Sequence, residues 1–389
     1  MHILFILEYF KPHVWWSEIL FDNVIQWLLE KWNTVTILTT RYMPELSWDE
    51  ELLYWIWKKA KIYRVWHNRY DFMWYWFWKA LKLIKNNAFD CIQTTTFNAA
   101  LIAWTIRTFN KIPTVLHVHE VYIQLRYTFF GWKWFFYKLF ERFIFQLPFD
   151  YYTCSSLYTK NSLRLVFWIP DNKLTTTYCG INYEIRNKNN INPIISKQLR
   201  NDFWLNTMYI GLYFWRPWVA KWLLDYIHAI PYILQSIPNF KAFLIVPKNE
   251  KSRSGVIQST IANDEVILLI DSLHITESVV WIDSVPYHEL INYIAMSDVV
   301  VLPTKAEWFW LAIAEVCALW KALVTTNVGS VPEVVCGESI QLVEPGNAKD
   351  IARGVVDIHS ERVLTINQKH FYWDQCVNKF LEVYKDICI

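Results

Sequence analysis

The chain alternates between short apolar segments typical of β-strands and longer segments with helical spacing, and this alternation runs through two consecutive halves. In the first half the predicted strands are residues 2–7, 34–39, 91–95, 113–117 and 151–155. In the second half they are residues 208–214, 242–246, 279–282, 299–303 and 323–326. Predicted helices include residues 17–31, with Ser17 as N-cap, and residues 374–385. Alternating strands and helices predict a parallel sheet covered on both faces in each half.

The composition changes between Glu184 and Leu205, where Asn, Lys and Arg surround Pro193. We interpret this stretch as a linker between two α/β domains, residues 1–190 and 205–370, each long enough to bury its own core. In doubly wound sheets, ligands bind beyond the carboxyl ends of the strands. Two such domains facing each other would place a ligand cleft between them, so residues that bind ligand should follow strands.

Charge and cysteine usage exclude several classes of protein. The 389 residues carry a formal net charge of +2, which disfavours nucleic acid as a partner. The seven cysteines form no CxxC pair, which favours a reducing compartment over a disulfide framework or a zinc site. The first apolar segment is too short for a signal peptide, and no apolar run reaches the roughly 18 residues of a membrane-spanning helix. These patterns predict a cytoplasmic protein.

Tryptophan is unusually frequent in this chain and glycine unusually rare. There are 24 Trp and 8 Gly, whereas glycine ordinarily makes up about 7% of residues. Taken together, the two residue types are about as frequent as usual. This balance indicates that one has taken the place of the other.

A pair of carboxylates follows the predicted strand 299–303. Glu307 lies in the next loop and Glu315 in the helix after it. A strand that leads through a loop into a helix offers backbone N–H groups and the helix dipole to an anion. Glu307 could accept hydrogen bonds from sugar hydroxyls, and Glu315 could hold a ribose. On spacing alone, two solvated surface carboxylates explain the pair equally well.

Three further candidates also follow predicted strands. Arg216 and Lys221 come after strand 208–214. A guanidinium and an ammonium group suit a diphosphate, although a lone Arg and Lys in a loop are more simply interpreted as solvated cations. Trp15 and Trp16 lie in the loop before the first helix. His119 stands at the end of strand 113–117, where a histidine is either functional or a satisfied polar residue.

These segments resemble glycosyltransferase family 4, the glycosyl transferases of group 1. Residues 307–322 resemble the family signature E-G-F-G-L-x-x-x-E-A-x-A-x-G-x-P, and residues 215–222 are similar to its G-R-x4-K-G motif. His119 falls on the strand-end histidine of the family. Three weaker matches follow the same chain order, at residues 155–156, 180–182 and 329–333.

The resemblance implies the GT-B fold, in which two doubly wound Rossmann-like α/β domains face a cleft. Residues 1–190 would form the acceptor-side domain and residues 205–370 the domain that binds the nucleotide sugar. A C-terminal helix, residues 371–389, would cross back to the first domain. It also implies a metal-independent, retaining glycosyltransferase that moves a sugar from a nucleoside-diphosphate sugar to an acceptor hydroxyl on a glycan or a lipid-linked molecule, with no cofactor.

The resemblance further assigns residue roles. Glu307 and His119 would orient the transferred sugar, while Arg216 and Lys221 would stabilise the departing diphosphate. The implied donor-binding residues are Trp15, Trp16, Arg216, Lys221, Phe309, Trp310, Leu311 and Glu315.

Tryptophan occupies many positions at which this family has glycine, namely Trp15, Trp16, Trp32, Trp168, Trp215, Trp222, Trp308, Trp310 and Trp320. Glycine at such positions permits positive φ or close approach of the backbone to a ligand. Indoles there would fill the donor pocket, so the sequence taken literally predicts weak or no activity. Either the chain is a heavily altered version of an enzyme, or these residues are glycines in the protein itself. Trp373 is different, because the family often has tryptophan there.

Other functions remain open on sequence grounds. A nucleotide-sugar epimerase or a sugar phosphorylase would keep the fold and change the chemistry, and an inactive GT-B protein would have its donor pocket blocked by tryptophan. Residues 55–85 and 126–145 mix Lys and Arg with aromatic residues. Such a face could make a peripheral contact with an anionic membrane, and amphipathic helices packed on the sheet explain it equally well.

Overall fold

The computed structural model describes residues 1–13, 16–53, 59–66, 72–123, 131–215, 222–247, 263–309 and 311–388. The chain divides into two compact units. Unit 1 comprises Met1–Gly180 and Phe371–Ile389, and unit 2 comprises Ile181–His370.

Unit 1 is built on an eight-stranded sheet. Its strands are β1 (His2–Ile6), β2 (Thr34–Arg41), β3 (Asp49–Leu53), β4 (Lys59–Trp66), β5 (Cys91–Thr95), β6 (Thr114–Val118), β7 (Tyr151–Cys154) and β8 (Leu174–Thr176). They are ordered β3-β4-β2-β1-β5-β6-β7-β8, and every neighbouring pair is parallel except β3 with β4. The helices are α1 (Trp16–Glu30), α2 (Phe72–Asn86), α3 (Asn98–Asn110), α4 (Trp134–Gln146), α5 (Leu157–Val166) and, from the C-terminus, α13 (Trp373–Ile387).

The apolar strands of unit 1 are buried because helices cover the sheet. Leu4, Ile6 and Ile92 pack in one cluster with α3, and Leu116 and Val118 belong to a second cluster with residues of α4 and α5. Buried parallel strands read as continuous apolar runs, which is why β1 and β6 were evident from sequence.

The last helix, α13, packs onto unit 1. Phe380 contacts the rings of Phe21 and His117, with centroids 6.2 and 5.5 Å apart. The hydroxyl of Tyr384 donates a hydrogen bond of 2.8 Å to Oε1 of Gln93 in β5. The C-terminal segment is therefore part of the fold of unit 1.

Unit 2 is built on a seven-stranded sheet. Its strands are β9 (Tyr209–Phe214), β10 (Phe240–Ile245), β11 (Val279–Ile282), β12 (Val299–Leu302), β13 (Leu323–Thr326), β14 (Gly337–Val343) and β15 (Leu364–Ile366). They are ordered β11-β10-β9-β12-β13-β14-β15, and only β15 pairs antiparallel with its neighbour. The helices are α6 (Pro193–Asp202), α7 (Leu223–Ser236), α8 (Asn263–Ser272), α9 (Leu290–Met296), α10 (Leu311–Ala318), α11 (Val331–Val334) and α12 (Ala348–His359).

Two doubly wound α/β sheets were predicted, and that fold class is confirmed. Five strands at or next to a sheet edge were not predicted, namely β3, β4, β8, β14 and β15, and two of their pairings make the sheets mixed instead of purely parallel. These strands mix buried with exposed residues and so lack a continuous apolar run.

Two local features differ from the sequence interpretation. Helix α1 already begins at Trp16, so Ser17 lies within its first turn and donates a 3.0 Å hydrogen bond to Glu18 instead of capping the helix. The stretch interpreted as a linker contains α6, capped by the side chain of Asn192. Arg200 of α6 forms a 2.7 Å ion pair with Asp298, which holds the helix to unit 2.

No helix in the described ranges is long and apolar enough to cross a membrane.

Candidate active site

The loop between β12 and α10 holds Glu307 in a buried position. The hydroxyl of Thr304 donates a 3.1 Å hydrogen bond to Oε1 of Glu307. The backbone N–H of Thr304 in turn donates to Oγ1 of Thr326, at the end of β13, over 2.9 Å. These bonds link the loop to the neighbouring strand and orient the Glu307 carboxylate.

The backbone of Glu307 lies directly against the segment that follows β13. Ser330 donates its N–H to the Glu307 carbonyl over 2.9 Å. Gly329 has a φ of 52°, and a Cβ at this position would collide with the same carbonyl oxygen. Glycine is therefore required here, both for left-handed backbone and for the close approach of the two loops.

Glu315 lies in α10, one of the helices of unit 2, with its side chain mostly buried. Tyr287 donates its phenolic hydrogen to Oε1 of Glu315. Nε of Arg186 lies 3.5 Å from Oε2 of the same carboxylate. Burial raises the pKa of Glu315 above its ordinary value, and Arg186 and Tyr287 partly oppose that shift because they stabilise the ionised form.

Arg186 is a residue that the sequence analysis missed. Its side chain is fully buried, stacks over the ring of Tyr287 at 4.1 Å and donates a 3.1 Å hydrogen bond to the Tyr287 carbonyl. It follows the Gly180–Asn182 turn, but nothing in the spacing of the sequence shows that it meets Glu315. The only signal in the sequence was an arginine shortly after residues 180–182, which resemble a turn motif of the family.

The residues between the two carboxylates are mostly turned inward. Trp308 and Phe309 are buried, and Leu311 begins α10. Trp320 lies just beyond the end of this helix in left-handed backbone, with a φ of 55°. One strand–loop–helix segment of unit 2 therefore carries Glu307, Phe309, Leu311 and Glu315.

His119 follows β6 in unit 1 and is buried. Its ring lies 4.6 Å from the ring of His117 and 6.1 Å from that of Phe21, and its carbonyl accepts a 2.9 Å hydrogen bond from Ser155. Burial lowers the pKa of His119 to about 3, so the imidazole is neutral at pH 7. His117 is a strand residue whose Nδ1 lies 2.9 Å from the hydroxyl of Thr153.

Four predicted site residues, Trp15, Arg216, Lys221 and Trp310, lie outside the described residues. Trp16 is described only as the first residue of α1. Arg216 and Lys221 fall between β9 and α7, whose first residue Leu223 follows Trp222 in left-handed backbone. Within the ranges that the structure describes, no group of three or more His, Cys, Asp or Glu side chains could hold a metal ion.

Comparison with protein families agrees with this arrangement. Residues 17–185 match Glycosyltransferase Family 4, and residues 238–371 match Glycosyl transferases group 1. The two matches cover both units and include His119, Glu307 and Glu315. The chain belongs to glycosyltransferase family 4.

As a member of this family, the protein is a retaining glycosyltransferase of the hexosyltransferase type that uses a nucleoside-diphosphate sugar as donor.

Solved structures show the same GT-B fold. The structure of HepE from Anabaena in complex with UDP is 15% identical, with a TM-score of 0.70, covering 99% of this chain and 100% of that chain. Sucrose-phosphate synthase from Thermosynechococcus elongatus is 14% identical, with a TM-score of 0.69 and coverage of 99% and 98%. The apo form of the lipopolysaccharide outer core galactosyltransferase WaaB is 13% identical, with a TM-score of 0.68 and coverage of 99% of each chain. A comparison with curated proteins found no match.

Proposed function

We propose that this family-4 enzyme transfers a sugar from a UDP-sugar to a hydroxyl group of a glycan or lipid-linked acceptor. The observation that carries the proposal is the segment from Glu307 to Glu315, in which both carboxylates are held by buried partners. HepE has been crystallised with UDP and with UDP-glucose, which makes UDP the first nucleotide to test.

In this proposal Glu315 accepts hydrogen bonds from the ribose hydroxyls of the donor. The ionised carboxylate is needed because it accepts two hydrogen bonds and donates none. Arg186 favours the ionised form and so opposes the effect of burial on the pKa of Glu315, and Tyr287 fixes the orientation of the carboxylate. We assign the backbone from Phe309 to Leu311 to the same ligand, because this stretch precedes and begins α10, where the helix dipole favours negative charge.

The transferred sugar is oriented by Glu307 and by His119. Because its pKa is about 3, His119 is a neutral imidazole that can donate or accept one hydrogen bond without adding charge to the site. Arg216 and Lys221 stabilise the departing diphosphate electrostatically. A diphosphate oxygen takes the proton of the incoming hydroxyl on the face that the leaving group vacates, so the anomeric configuration is retained.

Calorimetric titration with UDP, GDP and ADP tests donor binding, with Glu315→Gln as the variant and the exposed Glu382→Gln as its matched control. We expect one nucleotide to bind, with an affinity at least tenfold weaker in Glu315→Gln and unchanged in Glu382→Gln. If none of the three nucleotides binds, the inactive form with a blocked pocket is the better description. Release of an epimerised donor without any acceptor would instead favour an epimerase.

We also propose that α4 rests on an anionic membrane, where a lipid-linked acceptor would be located. Its outer face combines exposed apolar side chains with exposed cations, and its one acid, Glu141, is buried and accepts a 2.6 Å hydrogen bond from the Tyr122 N–H. The apolar members are Phe135, Phe136, Leu139 and Phe143, and the cations are Lys138 and Arg142, with Lys133 immediately before the helix. Aromatic and basic side chains on one face suit an interface with anionic lipid, to which each cation contributes about 1 kcal/mol.

Sedimentation with vesicles tests this contact. We expect the protein to bind vesicles containing phosphatidylglycerol and not vesicles of phosphatidylcholine alone. Phe136→Ser with Leu139→Ser should reduce binding several-fold, whereas Phe109→Ser, which changes an exposed aromatic residue on α3, should not. Equal binding by all variants, or none to either vesicle, would overturn the contact and leave a soluble glycan as the acceptor.

A further inference from the structure

Five tryptophans have left-handed backbone, a conformation that residues with a Cβ seldom adopt. The residues and their φ angles are Trp32 (64°), Trp168 (55°), Trp204 (57°), Trp222 (36°) and Trp320 (55°). Among the described residues, nine non-glycine positions have positive φ, and tryptophan accounts for more than half of them. Tryptophan is not one of the residue types that tolerate this region, which are glycine first and then Asn and Asp.

Four of these tryptophans stand where helices end with glycine. Trp32, Trp168, Trp204 and Trp320 each lie two residues after the last residue of a helix: α1, α5, α6 and α10. After Trp168 the N–H of Ile169 bonds back to the carbonyl of Leu163, six residues earlier, over 3.2 Å. In the other three cases the next residue donates its N–H to a carbonyl five residues earlier, over 2.7 to 3.3 Å: Asn33 to Leu28, Leu205 to Arg200 and Lys321 to Val316. This reverse turn is the Schellman motif, whose left-handed residue is usually glycine.

Three of the four indoles are mostly exposed and gain little from burial, and that of Trp320 is partly exposed. Their exposed fractions are 86% for Trp32, 71% for Trp168, 87% for Trp204 and 38% for Trp320. The left-handed conformation of a residue with a Cβ lowers the ratio of folded to unfolded protein by a factor of about 5–30 per position. Arg142 lies over the ring of Trp168 and Lys188 over that of Trp320, each 5.6 Å from the ring centroid. Such a cation–π contact at an exposed site favours the folded protein by a factor of about 2–5, which at most equals the loss at its own position.

Other tryptophans in the chain use their indoles. Trp373 lies against Gly180, where any Cβ would collide with its ring. Nε1 of Trp281 donates a 2.9 Å hydrogen bond to the Val246 carbonyl, and Trp76 is fully buried in the core of unit 1. None of the three has positive φ. The chain therefore contains two kinds of tryptophan position, one shaped for an indole and one shaped for glycine.

We propose that the cell places glycine at Trp32, Trp168, Trp204 and Trp320 because it reads a codon there as glycine that other translation systems read as tryptophan. The codon that fits is UGA, which serves as stop, tryptophan or glycine in different systems, whereas UGG encodes tryptophan. The excess of 24 Trp over 8 Gly has the same origin. The proposal rests on backbone geometry and does not depend on the proposed function.

The same substitution has a consequence for the donor loop. Glycine at Trp308, Trp310 and Trp320 removes three indoles from the segment that carries Glu307 and Glu315. Glycine at Trp222 relieves left-handed backbone at the start of α7. The backbone can then approach a nucleotide sugar without a Cβ in between.

The gene and the protein isolated from its own cells test the proposal directly. We expect UGA codons at the four positions and UGG at Trp373. Tryptic peptides of residues 32–41 and 165–173 should have the mass of the glycine form, and the peptide of residues 370–379 should retain tryptophan. UGG codons at the four positions, or peptides with the mass of the tryptophan form, would overturn the proposal.

Two recombinant forms give an independent test by thermal unfolding. The form with glycine at all four positions should have a Tm several degrees above that of the tryptophan form, or fold where the latter does not. Lys111→Gly, at another left-handed helix end, controls for backbone relief and should also raise the Tm, whereas Trp373→Gly should lower it. A four-glycine form that is no more stable than the tryptophan form would contradict the geometric argument.

Discussion

Left-handed backbone costs a residue with a Cβ about 1–2 kcal/mol, since the Cβ approaches the following carbonyl oxygen. Four such tryptophans together cost about 4–8 kcal/mol, against a total stability of about 5–15 kcal/mol for a typical domain. The same conformation costs glycine almost nothing. At the scale of single residues, the strongest conflict in this protein is therefore between side-chain identity and backbone geometry at Trp32, Trp168, Trp204 and Trp320.

Arg186 is predicted to set the charge state of Glu315. Removing the cation with Arg186→Ala should raise the pKa of Glu315 further, because burial then acts unopposed. A carboxyl with a higher pKa loses its charge at a higher pH as the pH falls, so UDP affinity should begin to fall nearer to neutral pH than in the unmodified protein. Calorimetric titration of UDP between pH 5 and 8 measures this shift.

The same variant should lose stability, since removing one partner of a buried ion pair costs about 3–5 kcal/mol. The double variant Arg186→Met with Glu315→Gln has no buried charge and should recover much of that loss without recovering UDP affinity. An unchanged pH dependence in Arg186→Ala would contradict the role given to Arg186.

His119 is predicted to make the stability of unit 1 depend on pH. Its pKa is about 3 in the folded protein and near 6.5 in the unfolded chain. At a pH between these two values, only the unfolded chain binds a proton at this residue. Stability is then present above about pH 6.5 and is lost as the pH falls, by about 1.4 kcal/mol per pH unit for each such proton. His117, whose pKa is also lowered by burial, adds to this slope, and Glu120, whose pKa is raised to about 7, opposes it.

Comparison with His119→Asn isolates the contribution of His119. Urea unfolding at pH 7.5, 6 and 5 measures the free energy of unfolding of both proteins. The difference between them should become smaller towards low pH, because the variant has no imidazole at this position that takes up a proton on unfolding. The exposed His288→Asn serves as control and should run parallel to the unmodified protein. If the difference in the free energy of unfolding stays constant with pH, His119 has the same pKa in the folded and the unfolded protein.

At the scale of elements, α13 shows how a terminal segment completes a unit. It buries Phe380 and Tyr384 on one face, and Tyr384 satisfies a buried side chain of β5. Phe380→Ala should cost about 3–5 kcal/mol in the free energy of unfolding, because it leaves a cavity beside α1. Lys385→Ala, on the exposed face of the same helix, should cost less than about 0.5 kcal/mol.

Denaturant unfolding of these two variants measures the difference. Similar, small losses in both would mean that α13 is only loosely attached to unit 1.

At the scale of the whole molecule, each unit has its own α/β sheet and its own candidate residues. His119 follows β6 in unit 1, and Glu307 follows β12 in unit 2, with Glu315 in the next helix. A ligand that binds only the folded protein stabilises it by about 2.7 kcal/mol at a concentration one hundred times its Kd. We therefore expect the thermal transition of the glycine form to rise with UDP concentration, and Glu315→Gln to lose this rise. A rise of the same size in Glu315→Gln would remove Glu315 from the donor site.

The α/β class, most of the central strands and the positions of the candidate carboxylates could be predicted from the sequence. These follow from local patterns: buried parallel strands are continuous apolar runs, and ligand-binding residues follow strand ends. The sequence also showed the exchange of glycine for tryptophan, because the counts and the family motifs required no coordinates.

Which residues contact one another became evident only from the folded structure. Arg186 reaches Glu315, Gly329 lies against Glu307, and Tyr384 forms a hydrogen bond with Gln93, although the two members of each pair lie far apart in the sequence. Such contacts depend on how helices and loops pack on the sheet, and no local period encodes them. Likewise, the sequence marked the tryptophans as unusual, but only the φ angles showed which of them occupy backbone made for glycine.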